Sequence, residues 1–304
     1  MQKKTFGRFG NMNPSKQLTD HPYKLAVDPF CIKGNLYFVG AAQNSCHLID
    51  TGEGLVLLDV PPTEYLPFVI NNIWKIGFNP EDIKLIVVSH AHTDHYGSIN
   101  AIRTFTNAKV CISKVDAEDM AKKPLVYEQF DAEFGPYNES FTPDFTLEDG
   151  QIIEIGNTQI RCVLIPGHTL GTMAHFWDCH DGDKIYKVGI YGGAGFLTIQ
   201  DSMLERFQFP TSLRDDFLAS IDKVWDEPVD IMLGNHPFHN DTWKKRAAQL
   251  AGDEDAFVDP NEWHRYLTEL RESCKYFLSL TPEEAAEQMK ESRFMEYSGK
   301  YLGL

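Results

Sequence analysis

The sequence predicts an α+β fold in which two β-sheets pack face to face and helices lie at the surface. Short β-rich segments separated by turn residues occur in both halves of the chain, and segments with amphipathic helical spacing lie between strands and in the C-terminal tail. A chain of 304 residues that is 42% apolar and 24% charged has the composition of an ordinary folded protein. We expect one domain, residues 1–304.

In the first half, strands alternate with helical spacing. Residues 35–60, "NLYFVGAAQNSCHLIDTGEGLVLLDV", have the pattern of a hairpin or meander. The segment "LPFVINNIWKIGFNP" (66–80) predicts an amphipathic helix that ends near Gly77. The continuous apolar run "IKLIVVS" (83–89) is typical of a strand buried on both faces, and "AKVCIS" (108–113) is a further strand.

The second half repeats the strand pattern. Hairpins are predicted over residues 150–166 and 173–193, and "VDIMLGN" (229–235) is a further strand. Helical spacing returns at 259–277 and at 281–291. The last of these helices begins with an N-cap, a first-turn proline and a capping-box glutamate at Thr281, Pro282 and Glu284.

Three segments are distinguished within this domain: an N-terminal extension (1–32), an insert (124–148) and C-terminal helices (256–304). The insert is aromatic and acidic and lacks periodicity, so it is either a functional lid or a poorly ordered insert. Its residues Phe134 and Tyr137 are candidate substrate contacts, with core packing or an oligomer contact as the alternatives.

Charge and hydropathy limit the partners. Forty-four acidic against 28 basic residues give a net charge of −16, and no basic stripe is visible, so a nucleic-acid partner is not expected. No stretch approaches the roughly 18 apolar residues that span a bilayer. The expected partner is a small-molecule substrate, and the location is cytoplasmic as the sequence stands, or periplasmic or secreted if a signal peptide was removed. Six scattered cysteines predict mostly reduced core residues.

A metal site is predicted directly after the buried strand at 83–89. In "SHAHTDHYG" (89–97), His90 and His92 are separated by one residue, so both side chains can point the same way. Asp94 and His95 follow where the chain turns and can face a second metal. Such polar crowding after a buried strand is costly without a metal or hydrogen-bond partners.

Two further histidines follow later strands: His168 in "LIPGHTLGT" and His236 in "LGNHPFHND". Together with the cluster they form a convergent set of six ligands for zinc, although such sites also accept iron, cobalt or manganese. The other histidines are interpreted as surface or core residues: His21, His47, His175, His180, His239 and His264.

The motifs "SHAHTDHYG", "PGHTLG" and "GNHP" resemble those of the metallo-β-lactamase superfamily. The resemblance implies a four-layer αββα sandwich with a dinuclear site. His90, His92 and His168 would hold the first zinc, and a second set would hold the other zinc: Asp94, His95 and His236. In "GLVLLDV", Asp59 matches an aspartate that orients metal-site groups, although a strand-end turn residue remains the alternative.

The resemblance is closest to the third subclass of zinc β-lactamases, which lack a bridging aspartate or cysteine. Many relatives carry a bridging aspartate where this chain has "VGIYGGAGF" (188–196), without a carboxylate or cysteine. The β-lactamases of that subclass usually have substrate-binding serines there. Thr169 and Thr172 could supply hydroxyls instead, although such threonines often make local backbone hydrogen bonds.

The resemblance implies a zinc-dependent hydrolase in which a metal-bound hydroxide attacks a carbonyl, with two zinc ions as cofactors. Asp94 would orient that hydroxide and relay its proton. The expected substrate is a β-lactam-like cyclic amide. The alternatives are an intracellular hydrolase of a lactone, thioester or phosphoester and, more distantly, a non-catalytic metal-binding protein. Oligomeric state is not predicted.

Overall fold

The structure is a computed structural model that describes residues 5–128 and 139–304. Seven strands form the first sheet, in the order of the chain. They are Phe30–Lys33 (β1), Leu36–Phe38 (β2), His47–Asp50 (β3), Leu55–Leu58 (β4), Ile83–Val87 (β5), Lys109–Ser113 (β6) and Phe145–Leu147 (β7). The strands β1 to β4 pair antiparallel, and β4 to β7 pair parallel.

Five strands form the second sheet in the order β12-β11-β10-β9-β8. They are Ile152–Ile155 (β8), Thr158–Leu164 (β9), Met173–Asp181 (β10), Lys184–Tyr191 (β11) and Ile231–Gly234 (β12). All neighbours pair antiparallel except β11 and β12, which are parallel. The two predicted hairpins are confirmed as β8–β9 and β10–β11, each closed by a tight turn.

Helices occupy the connections and the tail. The α-helices are Lys16–Thr19 (α1), Leu66–Lys75 (α2), Thr93–Tyr96 (α3), Ile99–Ile102 (α4), Lys114–Lys122 (α5), Pro124–Glu128 (α6), Asp201–Phe207 (α7), Leu213–Lys223 (α8), Thr242–Leu250 (α9), Glu262–Leu278 (α10), Pro282–Gln288 (α11) and Lys300–Leu302 (α12). Short 3₁₀ segments are Gly7–Phe9, Pro22–Leu25, Thr63–Tyr65, Pro80–Asp82 and Phe196–Ile199, and Met295–Gly299 is a π-helical turn. The predicted capping box of α11 is present.

The two sheets enclose one core and present their other faces to helices. Along β4 the side chains alternate: Val56 and Leu58 belong to a buried cluster with Ile190 of the second sheet. Leu57 belongs instead to a cluster with Ile73 of α2. This period-2 pattern is what a strand buried on both faces requires.

On the far side, α10 covers the second sheet. The ring of Trp263 in α10 lies 5.5 Å from that of Phe176 in β10, in an edge-to-face arrangement. The molecule therefore has the order helices, sheet, sheet, helices, and the predicted αββα sandwich is confirmed.

All six cysteines are free thiols, and all but Cys31 are buried. Between residues 5 and 128 and from 139 onward, no helix has the length and apolar character to cross a bilayer.

Candidate metal centre

The six predicted ligands meet at one edge of the sandwich, where the two sheets approach each other. The amide of Met173, at the start of β10, donates to the carbonyl of Ser89 at 2.9 Å. This hydrogen bond holds the loop after β5 against the second sheet. His168 lies in the loop between β9 and β10, and His236 follows β12. The strand ends thus bring together residues that are 146 positions apart in sequence, from His90 to His236.

The first group contains His90, His92 and His168. Nε2 of His90 lies 3.0 Å from Nδ1 of His92. One nitrogen of each of the three rings lies within 4.8 Å of the others, and the rings are 4.6 Å apart between centroids. His90 is fully buried, and only 4% of His92 is exposed.

The second group contains Asp94, His95 and His236. Oδ2 of Asp94 lies 3.3 Å from Nε2 of His95 and 3.3 Å from Nε2 of His236. These two nitrogens are also 3.3 Å apart. His90, Asp94 and His95 also approach within 4.8 Å of one another, so the two groups are adjacent.

The spacing of the second group fits zinc. Tetrahedral ligands at 2.0 to 2.1 Å from zinc lie about 3.3 to 3.4 Å from one another. The three equal distances of the second group match that edge. Nitrogen atoms of two unprotonated imidazoles repel at this distance, so their convergence is favourable only if a cation or a shared proton lies between them.

Hydrogen bonds at the opposite ring nitrogens fix the orientation of four histidines. Nδ1 of His95 lies 2.9 Å from Oδ2 of Asp59. The other three Nδ1 atoms lie near an oxygen within 3.0 Å: His90 near Ser89 Oγ, His168 near the Gly195 carbonyl and His236 near the Gln43 carbonyl. Each contact leaves Nε2 directed at the group of ligands, as is usual around metal sites.

Burial keeps most of these imidazoles neutral, which is the form that binds metal. It lowers the pKa of His90 and His92 well below the ordinary value and that of His168 to about 4. His95 differs. Burial lowers its pKa, but the contacts with Asp94 and Asp59 outweigh burial and raise the pKa to about 10. Burial raises the pKa of Asp94, but the positive charge of His95 and hydrogen bonds from His236 and His95 hold it well below its usual range.

The glycine run after β11 is explained by His168. A Cβ atom at Gly193 would lie 2.3 Å from Cδ2 of His168, and one at Gly192 would lie 2.0 Å from the carbonyl oxygen of Met173. The His168 ring therefore occupies the space that a side chain at position 193 would need. This packing is a physical reason why the stretch "VGIYGGAGF" has no bridging carboxylate.

The two threonines that were considered as substrate contacts lie inside the protein. Thr169 and Thr172 are fully buried, and their hydroxyl oxygens are 2.7 Å apart. The hydroxyl of Thr169 also lies 2.7 Å from Oδ2 of Asp116, and that of Thr172 accepts from the Thr169 amide. Thr172 thus makes the local backbone hydrogen bond that had been kept as the alternative, whereas the Thr169 hydroxyl binds a carboxylate 53 positions away. Asp116 was missed, because nothing near it in sequence indicates the contact.

A cavity of about 320 Å³ opens at the second group and is lined by residues from several segments. Phe9, Met12 and Asn13 of the N-terminal extension form one wall. Arg8 holds this segment in place, since its guanidinium donates to the His239 carbonyl at 3.0 Å and to Asp241 at 3.1 Å. Sequence reasoning assigned the extension no role, and no local motif indicates one.

The rest of the wall combines apolar residues, among them Met203 and Phe238, with uncharged polar ones. Gln43, Asn235 and Thr198 line it, together with Ala194 and Gly195 where serines are usual in similar β-lactamases. His239 also lines the cavity, with Nδ1 held 2.8 Å from Oδ1 of Asn235. Phe134 and Tyr137 lie outside the described residues, so their predicted role stays a prediction.

Known proteins similar to this chain were found by sequence and by structure. The family model of the metallo-beta-lactamase superfamily matches residues 39–179, which include every predicted ligand except His236. BJP-1, a subclass B3 metallo-beta-lactamase of Bradyrhizobium japonicum, is 26% identical, with a TM-score of 0.74 over 89% of this chain and 98% of its own.

Two curated relatives match by sequence. One is the probable polyketide biosynthesis zinc-dependent hydrolase PksB of Bacillus subtilis, 26% identical over 48% of this chain and 57% of its own length. The other is a hydroxyacylglutathione hydrolase of Pseudomonas putida, 27% identical over 49% of this chain and 46% of its own. The chain thus spans about half the length of the curated relatives it matches.

Proposed function

The chain belongs to the metallo-β-lactamase superfamily, and from that premise we propose that it is a zinc-dependent hydrolase that opens a β-lactam-like cyclic amide. One observation carries the proposal. Asp94, His95 and His236 present three ligand atoms at mutual distances of 3.3 Å, beside the histidine group that contains His90. No common structural role calls for two such groups side by side at the mouth of a cavity.

Two zinc ions are proposed. His90, His92 and His168 would hold one, and the second group would hold the other: Asp94, His95 and His236. When bound, zinc supplies a water with a pKa near 7 and a Lewis acid that polarises a carbonyl.

The side chains around the cavity would orient the reactants. Asp94 is the ligand with the most exposed side chain among the second group, at 27%, so its carboxylate can reach both the cavity and a water there. It would orient the attacking water and accept its proton while held by His95 and His236. Asp59 would keep the His95 ring in place by accepting from Nδ1.

The substrate is proposed from the shape and chemistry of the cavity. A volume of about 320 Å³ suits a small molecule, and polar groups on the wall, such as the side-chain amide of Gln43, can hydrogen bond to it. The similarity to BJP-1 extends over most of both chains, which supports a cyclic amide of the β-lactam kind.

A second candidate is a lactone, thioester or phosphoester hydrolase on the same metal centre. Ala194 and Gly195 line the cavity where similar β-lactamases usually present serines, so an anchor for the β-lactam carboxylate is missing there. The similarity to a hydroxyacylglutathione hydrolase also favours this candidate. Both candidates require the same ligands and differ only in the substrate.

The test is hydrolysis by zinc-loaded protein of a chromogenic cephalosporin, compared with a glutathione thioester, an acylated lactone and a phosphoester. We expect turnover of the cephalosporin that chelator abolishes and added zinc restores. Turnover confined to the thioester or lactone would replace the first candidate by the second. Two bound zinc ions with no hydrolysis of any of these compounds would contradict both.

A matched pair of variants separates metal chemistry from general damage. His168→Ala removes a proposed ligand, whereas His21→Ala removes an exposed histidine outside the cavity. Loss of turnover in the first variant alone is the expected result. Equal turnover in both variants would contradict the assignment of His168 as a ligand.

A further inference from the structure

Asp116, near the start of α5, is a fully buried carboxylate that contacts neither substrate cavity nor solvent. Three donors surround it. Oδ2 accepts from the amide of Ala91 at 2.9 Å and from the hydroxyl of Thr169 at 2.7 Å, and Oδ1 accepts from the amide of Gly171 at 2.7 Å. No other carboxylate in the described part of the chain connects these two loops.

The positions of the three donors are specific. Ala91 stands between His90 and His92 in sequence, while Thr169 follows His168 directly. One carboxylate thus connects the loop that bears two of the proposed ligands of the first group with the loop that bears the third. The loops are 78 positions apart, from residue 90 to residue 168, so no local hydrogen bond could fix their separation.

The surrounding packing is built to admit this carboxylate. The amide of Asp116 donates to the hydroxyl of Ser113 at 3.1 Å, which caps α5 and fixes where the helix begins. A Cβ atom at Gly171 would lie 2.1 Å from Oγ of Ser113 and 2.6 Å from the nitrogen of Asp116. Position 171 therefore has room only for glycine, and the loop can approach the helix closely enough to donate its amide.

Burying a carboxylate is costly, and three charge-assisted hydrogen bonds offset that cost. A neutral hydrogen-bonding side chain could satisfy some of these donors at a lower cost. The carboxylate can accept all three because each of its oxygens is an acceptor, whereas an amide offers one acceptor and would place an N–H₂ group against a donor.

We propose that Asp116 is a positioning residue that sets the distance between His168 and the pair His90 and His92. The inference rests on the proposed metal centre and adds to it a residue that touches no metal ligand side chain. It acts through the backbone on either side of the ligands. Without the Asp116 carboxylate, the two loops keep their ligands, but the distance between the loops is no longer fixed.

The experiment measures zinc affinity, by competition with a chromogenic chelator, and the absorption spectrum of the cobalt-substituted full chain. Asp116→Asn keeps the size of the side chain and removes one acceptor. We expect this variant to bind one of the two zinc ions with an affinity lower by about 10- to 100-fold, as is usual when a supporting hydrogen bond is lost. The cobalt spectrum should also change. The second zinc should keep its wild-type affinity.

Asp119→Asn is the matched control on the same helix. Asp119 is also largely buried, and its carboxylate binds the Tyr127 hydroxyl at 2.6 Å and Lys123 at 2.9 Å, away from both ligand loops. This variant tests the cost of neutralising a buried acid in α5. We expect it to lower the free energy of unfolding but to keep both zinc affinities and the cobalt spectrum.

A further pair applies if Asp116→Asn does not fold. Thr169→Val removes the hydroxyl that contacts Asp116, and Thr169→Ser retains it, so weaker zinc binding is expected in the first variant and recovery in the second. Wild-type zinc affinities and cobalt spectrum in Asp116→Asn, or in Thr169→Val where Asp116→Asn does not fold, would overturn the inference alone. Wild-type protein that binds no zinc would overturn the proposed function together with it.

Discussion

Oδ2 of Asp59 lies 2.9 Å from Nδ1 of His95. Among the described residues, Asp59 is the one carboxylate other than the proposed ligands that contacts a histidine of the metal centre. The same carboxylate accepts from the amide of Ser89 at 2.7 Å and from its hydroxyl at 2.8 Å. The backbone of Asp59 has a φ of +57°, in the left-handed region that aspartate and asparagine tolerate better than other side chains. One residue thus ends β4, supports the loop after β5 and orients His95.

Replacement of Asp59 by asparagine tests the charge and keeps the backbone conformation. Asp59→Asn is expected to lower the zinc affinity of the group Asp94, His95 and His236 by about 10- to 100-fold, because a supporting carboxylate is lost. Chelator competition on the purified variant measures this. Asp50→Asn is the control, since the Asp50 carboxylate accepts from the Gly52 amide in a surface turn, away from the metal centre. Unchanged zinc affinity in Asp59→Asn would show that the contact does not support the metal centre.

Removal of a proposed ligand should have a larger effect than removal of its support. His168→Ala leaves the first group with two imidazoles, so we expect zinc content to fall from two ions to one per chain. Losses of supporting residues alone cost 10- to 100-fold, so activity should fall by more than about 100-fold. Metal analysis and kcat/KM on the best substrate measure the two effects. A variant with two zinc ions and wild-type kcat/KM would be inconsistent with His168 as a ligand.

The sequence was sufficient to predict that these candidate ligands would lie close together, because the relevant rule is local. Side chains that follow buried strands gather at one sheet edge, so His90, His168 and His236 could be grouped from the strands before them. Two sheets packed face to face were predicted for a similar reason, since alternation and helical spacing are properties of short segments, whereas the four-layer order was implied by the resemblance to the metallo-β-lactamase superfamily.

The features that sequence reasoning missed depend on contacts between distant segments. Asp116 is 53 positions from Thr169, and Arg8 is 231 positions from His239, whose carbonyl it binds. A buried acid and an arginine in an irregular extension have no periodic pattern that reveals such partners. The proximity of Thr169 to His168 in sequence likewise did not indicate that the Thr169 hydroxyl would bind Asp116.

The packing of His168 on Gly193 predicts a graded response to added methyl groups. A Cβ atom at Gly193 would lie 2.3 Å from Cδ2 of the ring, whereas one at Gly195 would lie 3.3 Å from Cε1. Gly193→Ala should therefore displace the ring and lower zinc occupancy, while Gly195→Ala should have a small effect. Metal analysis and the cobalt spectrum distinguish the two. Equal zinc occupancy in both variants would mean that the ring has room to shift without losing its ligand position.

The same contact bears on the missing bridging ligand. Gly193→Asp supplies a carboxylate, but its Cβ meets the His168 ring at the same distance as that of alanine. We expect lower zinc affinity in this variant and no gain from the added charge. Tighter binding of two zinc ions than in the wild-type protein would contradict this expectation.

A buried histidine unrelated to the metal ligands makes the stability of the protein sensitive to acid. His175 lies on β10, where its neighbours across the strands are Cys162 and Ile190 of the core between the sheets. Its side chain is 1% exposed, and within residues 5–128 and 139–304 neither ring nitrogen has a hydrogen-bond partner. Burial lowers its pKa from 6.5 to about 4, although the charge of Asp59 opposes this.

The direction of the pH dependence follows from this pKa. Because the folded protein binds the proton less tightly than the unfolded chain, stability is fully present above pH 6.5 and is lost as the pH falls toward 4, in total by roughly 3 kcal/mol.

His175→Leu removes the titrating group and places an apolar side chain in an apolar core, so it should lose less stability between about pH 7.5 and about pH 5. Urea unfolding of chelator-treated wild-type protein and variant measures the difference, and all other titrating groups, including His47, are common to both. At about pH 5 we expect the wild-type protein to have lost roughly 2 kcal/mol more of its free energy of unfolding than the variant has. Parallel pH profiles would mean that His175 acquires its proton without cost, and therefore that water or a hydrogen-bond partner reaches the ring in solution.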